Sequence, residues 1–152
     1  GGGGGGGDTV RLQDGHPAAC GVRVVAIATS RSGNYAVGQT GVISGIHANN
    51  TNPIVRWDHS NDQMQSDRHN LNVTNVVLRC GTHAAVGVSV VAIQSGRNGN
   101  FDQNDTGIIS GIHENNTNPL VRWDHRNDQV ESDRHNLIDQ THNNGNMVHW
   151  FD

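Results

Sequence analysis

The stretch GVISGIHANNTNPIVRWDHSNDQMQSDRHNL, residues Gly41–Leu71, decides the fold because it occurs twice. It returns as GIISGIHENNTNPLVRWDHRNDQVESDRHNL at Gly107–Leu137, an offset of 66 residues. When the alignment is extended upstream to residues 22–71 and 88–137, 34 of the 50 aligned pairs are identical. A repeat at a fixed period defines the folding unit. The sequence therefore predicts two copies of one small domain within 152 residues.

The composition favours strands and turns over helices. Only 33% of the residues are hydrophobic and 4% aromatic, while glycine contributes 20 residues, so each copy has a thin core and many turns. The net charge is −4, and all ten basic residues are arginine. Nucleic-acid binding needs a basic face, and a membrane span needs roughly 20 apolar residues in a row. We therefore expect an all-β protein with neither a nucleic-acid partner nor a membrane span.

Each copy contains five predicted strands, one long loop and one 3₁₀ turn. The strands of the first copy are predicted at residues 22–28, 40–47, 53–58, 63–66 and 72–78. The turn is predicted at residues 67–71. Gly41 and Gly45 indicate a bulge or strong coiling inside the second strand. Trp57 and Trp123 are predicted to anchor the two cores, since each copy has few other large residues.

This order of elements resembles the SH3-like barrel. The phrases TGVISGI, NPIVRWD and SDRHNL, at residues 40–46, 52–58 and 66–71, are similar to the pattern of the photosystem I small accessory subunit and of the Mib/Herc2 type of SH3-like barrel. The resemblance covers about 50 residues in each copy. It implies two tandem five-stranded barrels. It brings no catalytic residues with it, because a shared fold does not transfer function.

The expected organisation has five parts. Residues 1–20 form an extended N-terminal arm that acts as a strand donor. The two barrels occupy residues 21–79 and 88–139. A linker at residues 80–87 joins them, and residues 140–152 form a C-terminal tail.

The two cysteines are expected to form a disulfide. Cys20 lies just before the first strand of copy one, and Cys80 follows the predicted last strand. The ends of a small barrel commonly lie close together, and closing a loop of this size would contribute roughly 4 kcal/mol. A pair of unrelated buried thiols is the alternative. A disulfide implies an oxidising environment, so we expect a secreted protein.

Four triplets match the N-glycosylation pattern. They begin at Asn49, Asn72, Asn104 and Asn115. Asn49 and Asn115 occupy the same predicted turn in the two copies. In a secreted protein, sugar at these positions would shield the surface. We therefore expect a glycoprotein.

No motif indicates metal binding or catalysis. Three histidines recur in both copies, as the pairs His47 and His113, His59 and His125, and His69 and His135. Their spacing matches no zinc motif, and the polar turn at residues 58–62 lacks the glycine and glutamate of a calcium loop. The sequence also lacks a nucleophile elbow and a phosphate-binding loop. We expect no metal, no cofactor and no enzymatic activity.

Both ends of the chain suggest assembly. Seven glycines precede an alternating segment that suits a strand added to a neighbouring sheet, with an expression linker as the alternative for the glycines. The C-terminal tail ends in Met147, Val148, Trp150 and Phe151, and these apolar residues indicate that it covers a barrel or a neighbouring subunit. The candidate assembly residues are Thr9, Val10, Arg11, Leu12, Trp150 and Phe151.

Together these features predict a structural subunit of a secreted, N-glycosylated extracellular filament. Subunits of this homopolymer would join head to tail, the N-terminal arm adding a strand to the next copy. The chain begins without methionine or a signal peptide, so we expect a processed product. The alternative is a secreted adhesion or ligand-binding tandem module. Against that alternative, the loop at residues 35–39 (YAVGQ) differs from residues 101–105 (FDQND).

Overall fold

A computed structural model of the chain describes residues 10–48, 51–97, 99–126 and 128–141. The chain divides into two compact units between Thr74 and Asn75. Among these residues, each unit contains one five-stranded antiparallel sheet and one single-turn 3₁₀ helix. The prediction of an all-β protein with two tandem β domains is confirmed.

The first unit has five short strands. They are β1 Arg23–Ala26, β2 Thr40–Ile46, β3 Pro53–Trp57, β4 Gln63–Gln65 and β5 Leu71–Val73. Their order in the sheet is β4-β3-β2-β1-β5. The 3₁₀ helix Arg68–Asn70 immediately precedes β5, where the sequence predicted a turn.

The second unit repeats this arrangement. Its strands are β6 Ser89–Ala92, β7 Thr106–Ile112, β8 Pro119–Trp123, β9 Gln129–Glu131 and β10 Leu137–Asp139. Their order is β9-β8-β7-β6-β10, and the 3₁₀ helix is Arg134–Asn136. Equivalent strands therefore hold equivalent places in the two sheets.

The glycines of β2 have two different structural roles. The register with β3 shifts between Ile43 and Gly45, so the predicted bulge is present. At Gly41, an added Cβ would lie 2.6 Å from Val55 Cγ1 and 2.7 Å from the Arg56 carbonyl oxygen. Glycine therefore allows β2 and β3 to approach closely at that point.

Each core is built around one tryptophan and one stacked aromatic ring. Trp57 and Trp123 are fully buried, as predicted. Tyr35 stacks on Trp57, and Phe101 on Trp123, with ring centroids 4.5 Å apart in both pairs. The Trp57 indole N–H donates to Ser66 Oγ at 3.2 Å. A buried tryptophan needs such an acceptor, because an unpaired N–H is costly in a core.

The segment before β1 belongs to its own unit. Val10 and Leu12 are only 6% and 4% exposed, and they pack in the core cluster that contains Trp57. The chain then turns back, so that the Ala18 amide donates to the Val10 carbonyl oxygen at 2.8 Å. The same segment covers the outer edge of β5, since the Gln13 amide donates to the Leu71 carbonyl oxygen at 3.0 Å.

This packing corrects the assembly prediction for Val10, Arg11 and Leu12. The segment does extend a sheet edge, but it is the edge of its own unit. Arg11 pairs with Pro17 in an antiparallel bridge, and its guanidinium donates to the Gly15 carbonyl oxygen at 2.8 Å. Because the unit has few large apolar side chains, Val10 and Leu12 are needed in its own core. The other assembly candidates, Thr9, Trp150 and Phe151, lie outside the described residues.

The second unit opens with the same segment. Val76, Leu78 and Ala84 are buried, and the Ala84 amide donates to the Val76 carbonyl oxygen at 2.9 Å. The strand expected at residues 72–78 therefore ends at Val73. Residues 80–87, expected as a linker, are part of the second unit. The repeat begins at residues 10 and 76, upstream of the expected barrels.

Candidate functional site

Each unit has an open cleft between the loop after its first strand and its 3₁₀ helix. The first cleft, of about 540 Å³, is lined by residues that include Arg31, Asn34, Tyr35, Gln65, Asp67 and Asn70. The second cleft, of about 770 Å³, is lined by residues that include Arg97, Phe101, Asn118, Glu131, Asp133 and Asn136. Both clefts are open to solvent, and most of their lining is polar.

The two clefts are built from equivalent positions. At the repeat offset, Arg31 corresponds to Arg97, Tyr35 to Phe101, Gln65 to Glu131, Asp67 to Asp133 and Asn70 to Asn136. The loop residues that differ most between the copies, 36–39 and 102–105, are not among the lining residues. Of the loop difference that argued against a binding module, only the pair Tyr35 and Phe101 lines the clefts.

The 3₁₀ helix fixes a carboxylate at the side of each cleft. Asp67 caps the helix, and its Oδ1 accepts from the His69 backbone amide at 2.9 Å and contacts the His69 ring Nδ1 at 3.1 Å. Asp133 and His135 repeat this arrangement at 2.9 and 3.2 Å. Aspartate is a preferred N-cap because its short side chain reaches the free amides of the first turn. The cap therefore holds the carboxylate in place.

A second recurring histidine ties down the loop. The ring Nε2 of His59 lies 3.0 Å from the Asn34 carbonyl oxygen, and that of His125 lies 3.3 Å from the equivalent carbonyl oxygen. The loop is also closed by the Ser30 amide, which donates to the Tyr35 carbonyl oxygen at 3.0 Å. These contacts give the recurring histidine the same structural role in both copies.

The aromatic residue of each cleft offers little of its ring to a ligand. Tyr35 is 4% exposed and Phe101 is 3% exposed, because each ring stacks on the core tryptophan. The Tyr35 hydroxyl accepts from Asn70 Nδ2 at 3.0 Å. A ligand in either cleft therefore meets mainly charged and amide groups.

Glu131 is held in the second cleft by two carboxamide side chains. Its Oε2 accepts from Asn115 Nδ2 at 2.9 Å and from Asn118 Nδ2 at 3.1 Å. The His113 Nε2 lies 3.6 Å from Oε1. The hydrogen bonds from Asn118 and Asn115, with the nearby His113, lower the pKa of Glu131 below its usual value. The carboxylate is therefore ionised near neutral pH.

Asp58, directly after β3, links two other strands of the first sheet. Asp58 Oδ2 accepts from Thr40 Oγ1 at 2.6 Å and pairs with Arg23 Nη2 at 3.0 Å. Within the described ranges, no group of three or more His, Cys, Asp or Glu residues is placed to hold a metal ion. The same ranges contain no helix with the length and apolarity that a bilayer crossing requires.

Both cysteines are free thiols, so the predicted Cys20–Cys80 disulfide is not formed in this structure. Cys20 is exposed in the first unit, with its Sγ 3.6 Å from the Ser44 carbonyl oxygen. Cys80 lies in the opening segment of the second unit, where its Sγ accepts from the Asp139 amide at 3.5 Å. The prediction placed both residues at the ends of one barrel, whereas they belong to different units.

The glycosylation candidates differ in accessibility. Asn104 and Asn115 are exposed. Asn72 lies in β5 with a buried Oδ1, and the Thr74 of its triplet is buried as well. Asn49 lies outside the described residues. Asn104 and Asn115 are therefore the better acceptor candidates.

No protein-family model matches the chain, and no curated protein sequence matches it. The duplicated cleft is the feature of the molecule that bears on function. The cleft residues were not identified from the sequence, although the exact recurrence of Arg31, Asp67 and Asn70 was visible there.

Proposed function

We propose that the chain is a non-enzymatic tandem binding module, with each unit binding a short extended peptide in its cleft. The supporting observation is the recurrence of one cleft in both units. Arginine, aspartate and asparagine are identical at three lining positions, while the adjacent loop residues differ between the copies. The alternative of a ligand-binding module is therefore favoured over strand donation by the N-terminal arm.

A peptide fits the chemistry of these clefts better than a sugar or a base. Arg31 makes no hydrogen bond or ion pair with the described part of the chain, so its guanidinium is available to a carbonyl or carboxylate. Asp67 supplies an acceptor of opposite charge. An extended peptide presents both donors and acceptors along its backbone. Sugars and bases favour open aromatic faces, and the faces of Tyr35 and Phe101 are covered.

Two equivalent sites on one chain favour partners that carry their motif more than once. Binding at the first site raises the effective concentration of the second motif, and avidity can exceed a single affinity by a factor of about 10² or more. We propose a repetitive protein, or a protein presented at high density, as the partner.

The test is selection from a random peptide display library on the full chain, followed by calorimetry with the selected peptide. We expect two binding sites per chain. Arg31→Ala or Arg97→Ala should leave one site, and the double variant none. Arg56→Ala is the control, because Arg56 is exposed on β3 and lines neither cleft. Selection of the same peptides by the double variant would refute the proposal.

A second candidate is a subunit of a secreted, N-glycosylated extracellular filament. Its support is the edge strand of each sheet. Gln63–Gln65 and Gln129–Glu131 pair on one side only among the described strands, while the opposite edge of each sheet is covered by the unit's own opening segment. An open edge accepts a strand from another molecule. Copies of this chain would join through these edges to form a homopolymer.

Negative-stain microscopy and size-exclusion chromatography distinguish the two candidates. Filaments that are lost in Gln63→Pro and Gln129→Pro would support edge pairing, because the amides of these residues face away from the neighbouring strand and proline removes them as donors. Gln63→Thr serves as the control. Discrete monomers at every concentration would exclude the filament. Secretion and N-glycosylation are tested by expression through a secretory pathway followed by glycopeptide mass spectrometry. Sugar is expected at Asn104 and Asn115 and not at Asn72.

A further inference from the structure

The two clefts differ in charge at a single pair of equivalent lining positions. The first cleft holds Gln65, and the second holds Glu131 in its place. With Arg31 and Asp67, the charged groups of the first cleft balance. In the second cleft, the two negative charges of Glu131 and Asp133 exceed the positive charge of the one arginine.

The two carboxylates of the second cleft lie on one side of it. Glu131 ends β9, and Asp133 follows two residues later, so an extended chain directs both side chains the same way. Glu131 is fixed through its Oε2 by the amides of Asn115 and Asn118. The His113 Nε2 lies 3.6 Å from Oε1. Since a carboxylate has about four acceptor positions, Oε1 keeps capacity for a ligand beside this histidine. The Asp133 Oδ1 caps the 3₁₀ helix, whereas its Oδ2 remains available to a ligand.

A second difference frees a donor in the same cleft. In the first unit, Asn70 Nδ2 donates one of its two N–H groups to the Tyr35 hydroxyl at 3.0 Å. Phe101 has no hydroxyl, and the Asn136 side chain makes no hydrogen bond with the described part of the chain. The Asn136 carboxamide is therefore available to a ligand carbonyl close to the two carboxylates.

From these differences we infer that the second cleft selects a peptide with a cationic side chain, whereas the first cleft accepts a neutral polar one. The guanidinium or ammonium group of the ligand binds Glu131 and Asp133. The carbonyl oxygen of a neighbouring peptide bond accepts from Asn136 Nδ2. The inference rests on the proposed function, and it gives the two units different specificities. A partner would then carry one basic and one neutral motif.

The test uses two matched probes, the pentapeptide amide acetyl-Gly-Gly-Arg-Gly-Gly and its citrulline counterpart. Citrulline keeps the shape of arginine without the charge. Amide chemical shifts of the full chain near Asn70 and Asn136 report each cleft separately. We expect the second cleft to bind the arginine probe about two- to fivefold more tightly than the citrulline probe, as for partly exposed ion pairs. This preference should shrink as salt is added. The first cleft should show no preference.

Variants that exchange glutamine and glutamate at positions 65 and 131 show which residue causes the preference for the arginine probe. Glu131→Gln should abolish it in the second cleft, and Gln65→Glu should create it in the first. Phe101→Tyr should weaken both probes equally in the second cleft, because the new hydroxyl takes Asn136 Nδ2. An unchanged preference in Glu131→Gln would overturn the inference and leave the proposed function standing. If neither probe shifts either cleft, the proposed function itself is contradicted.

Discussion

Replacing Leu12 by alanine should destabilise the first unit by about 3 kcal/mol. Leu12 is almost fully buried in the core that contains Trp57. The substitution removes about three carbon atoms from that core, worth roughly 2 kcal/mol at about 0.8 kcal/mol for each buried methylene. The cavity that remains adds to this loss, and measured Leu→Ala substitutions cost about 2–5 kcal/mol. A flexible arm outside the core would lose almost nothing.

Hydrogen exchange followed by mass spectrometry on the full chain measures this loss in each unit. Leu12→Ala should accelerate exchange of amides in β5 by about a hundredfold where they exchange by global opening, since each 1.4 kcal/mol corresponds to a factor of ten. Leu78→Ala, at the equivalent position, should act on β10 instead. Unchanged exchange of β5 in Leu12→Ala would refute the assignment of the opening segment to the core.

Three further predictions follow from local contacts. Gly41→Ala should destabilise the first unit by about 1–3 kcal/mol, because its Cβ would overlap Val55 and the Arg56 carbonyl; Gly45→Ala, with open space around it, is the control in urea unfolding. Ser66→Ala should cost about 1–3 kcal/mol, since it leaves the Trp57 N–H unpaired, whereas Ser66→Thr, which retains a hydroxyl, should cost less. The pKa of Glu131 is lowered by folding, so its contribution to stability is complete above the ordinary value of 4.5 and is lost as the pH falls through the folded value. Glu131→Gln should therefore reduce the acid sensitivity of hydrogen exchange in the second unit, and equal sensitivity in both proteins would contradict this.

The strands between Thr40 and Gln65 could be predicted from sequence because their signals are local. The strands at Thr40–Ile46 and Pro53–Trp57 differ from the prediction by one residue at their ends. Glycines, a starting proline and the alternation of apolar residues mark these strands. The 3₁₀ helix was equally visible, because Asp67 precedes it as a cap.

The opening segment was missed because its pattern fits two structures equally well. An alternating segment such as Val10-Arg11-Leu12 can cover a neighbour's sheet or its own. The pattern Val-x-Leu-x-x-Gly recurs at residues 10–15 and 76–81, and it would have extended the repeat upstream. The same extension would have placed Cys80 in the second unit.

The clefts could not be predicted, because the fold brings together residues that are distant in sequence. Arg31 lies in the loop after β1, whereas Asp67 and Asn70 belong to the 3₁₀ turn before β5. Each side chain alone is an ordinary polar surface residue. Their association, and its repetition in the second unit, became visible only with the topology.

Mapping the amide chemical shifts of the full chain during titration with a selected peptide would show directly where ligand binds. We predict perturbed amides in two groups, at residues 30–35 with 67–70 and at residues 96–101 with 133–136. Shifts confined to the edge strands β4 and β9, or spread evenly over both units, would contradict a peptide-binding cleft in each unit.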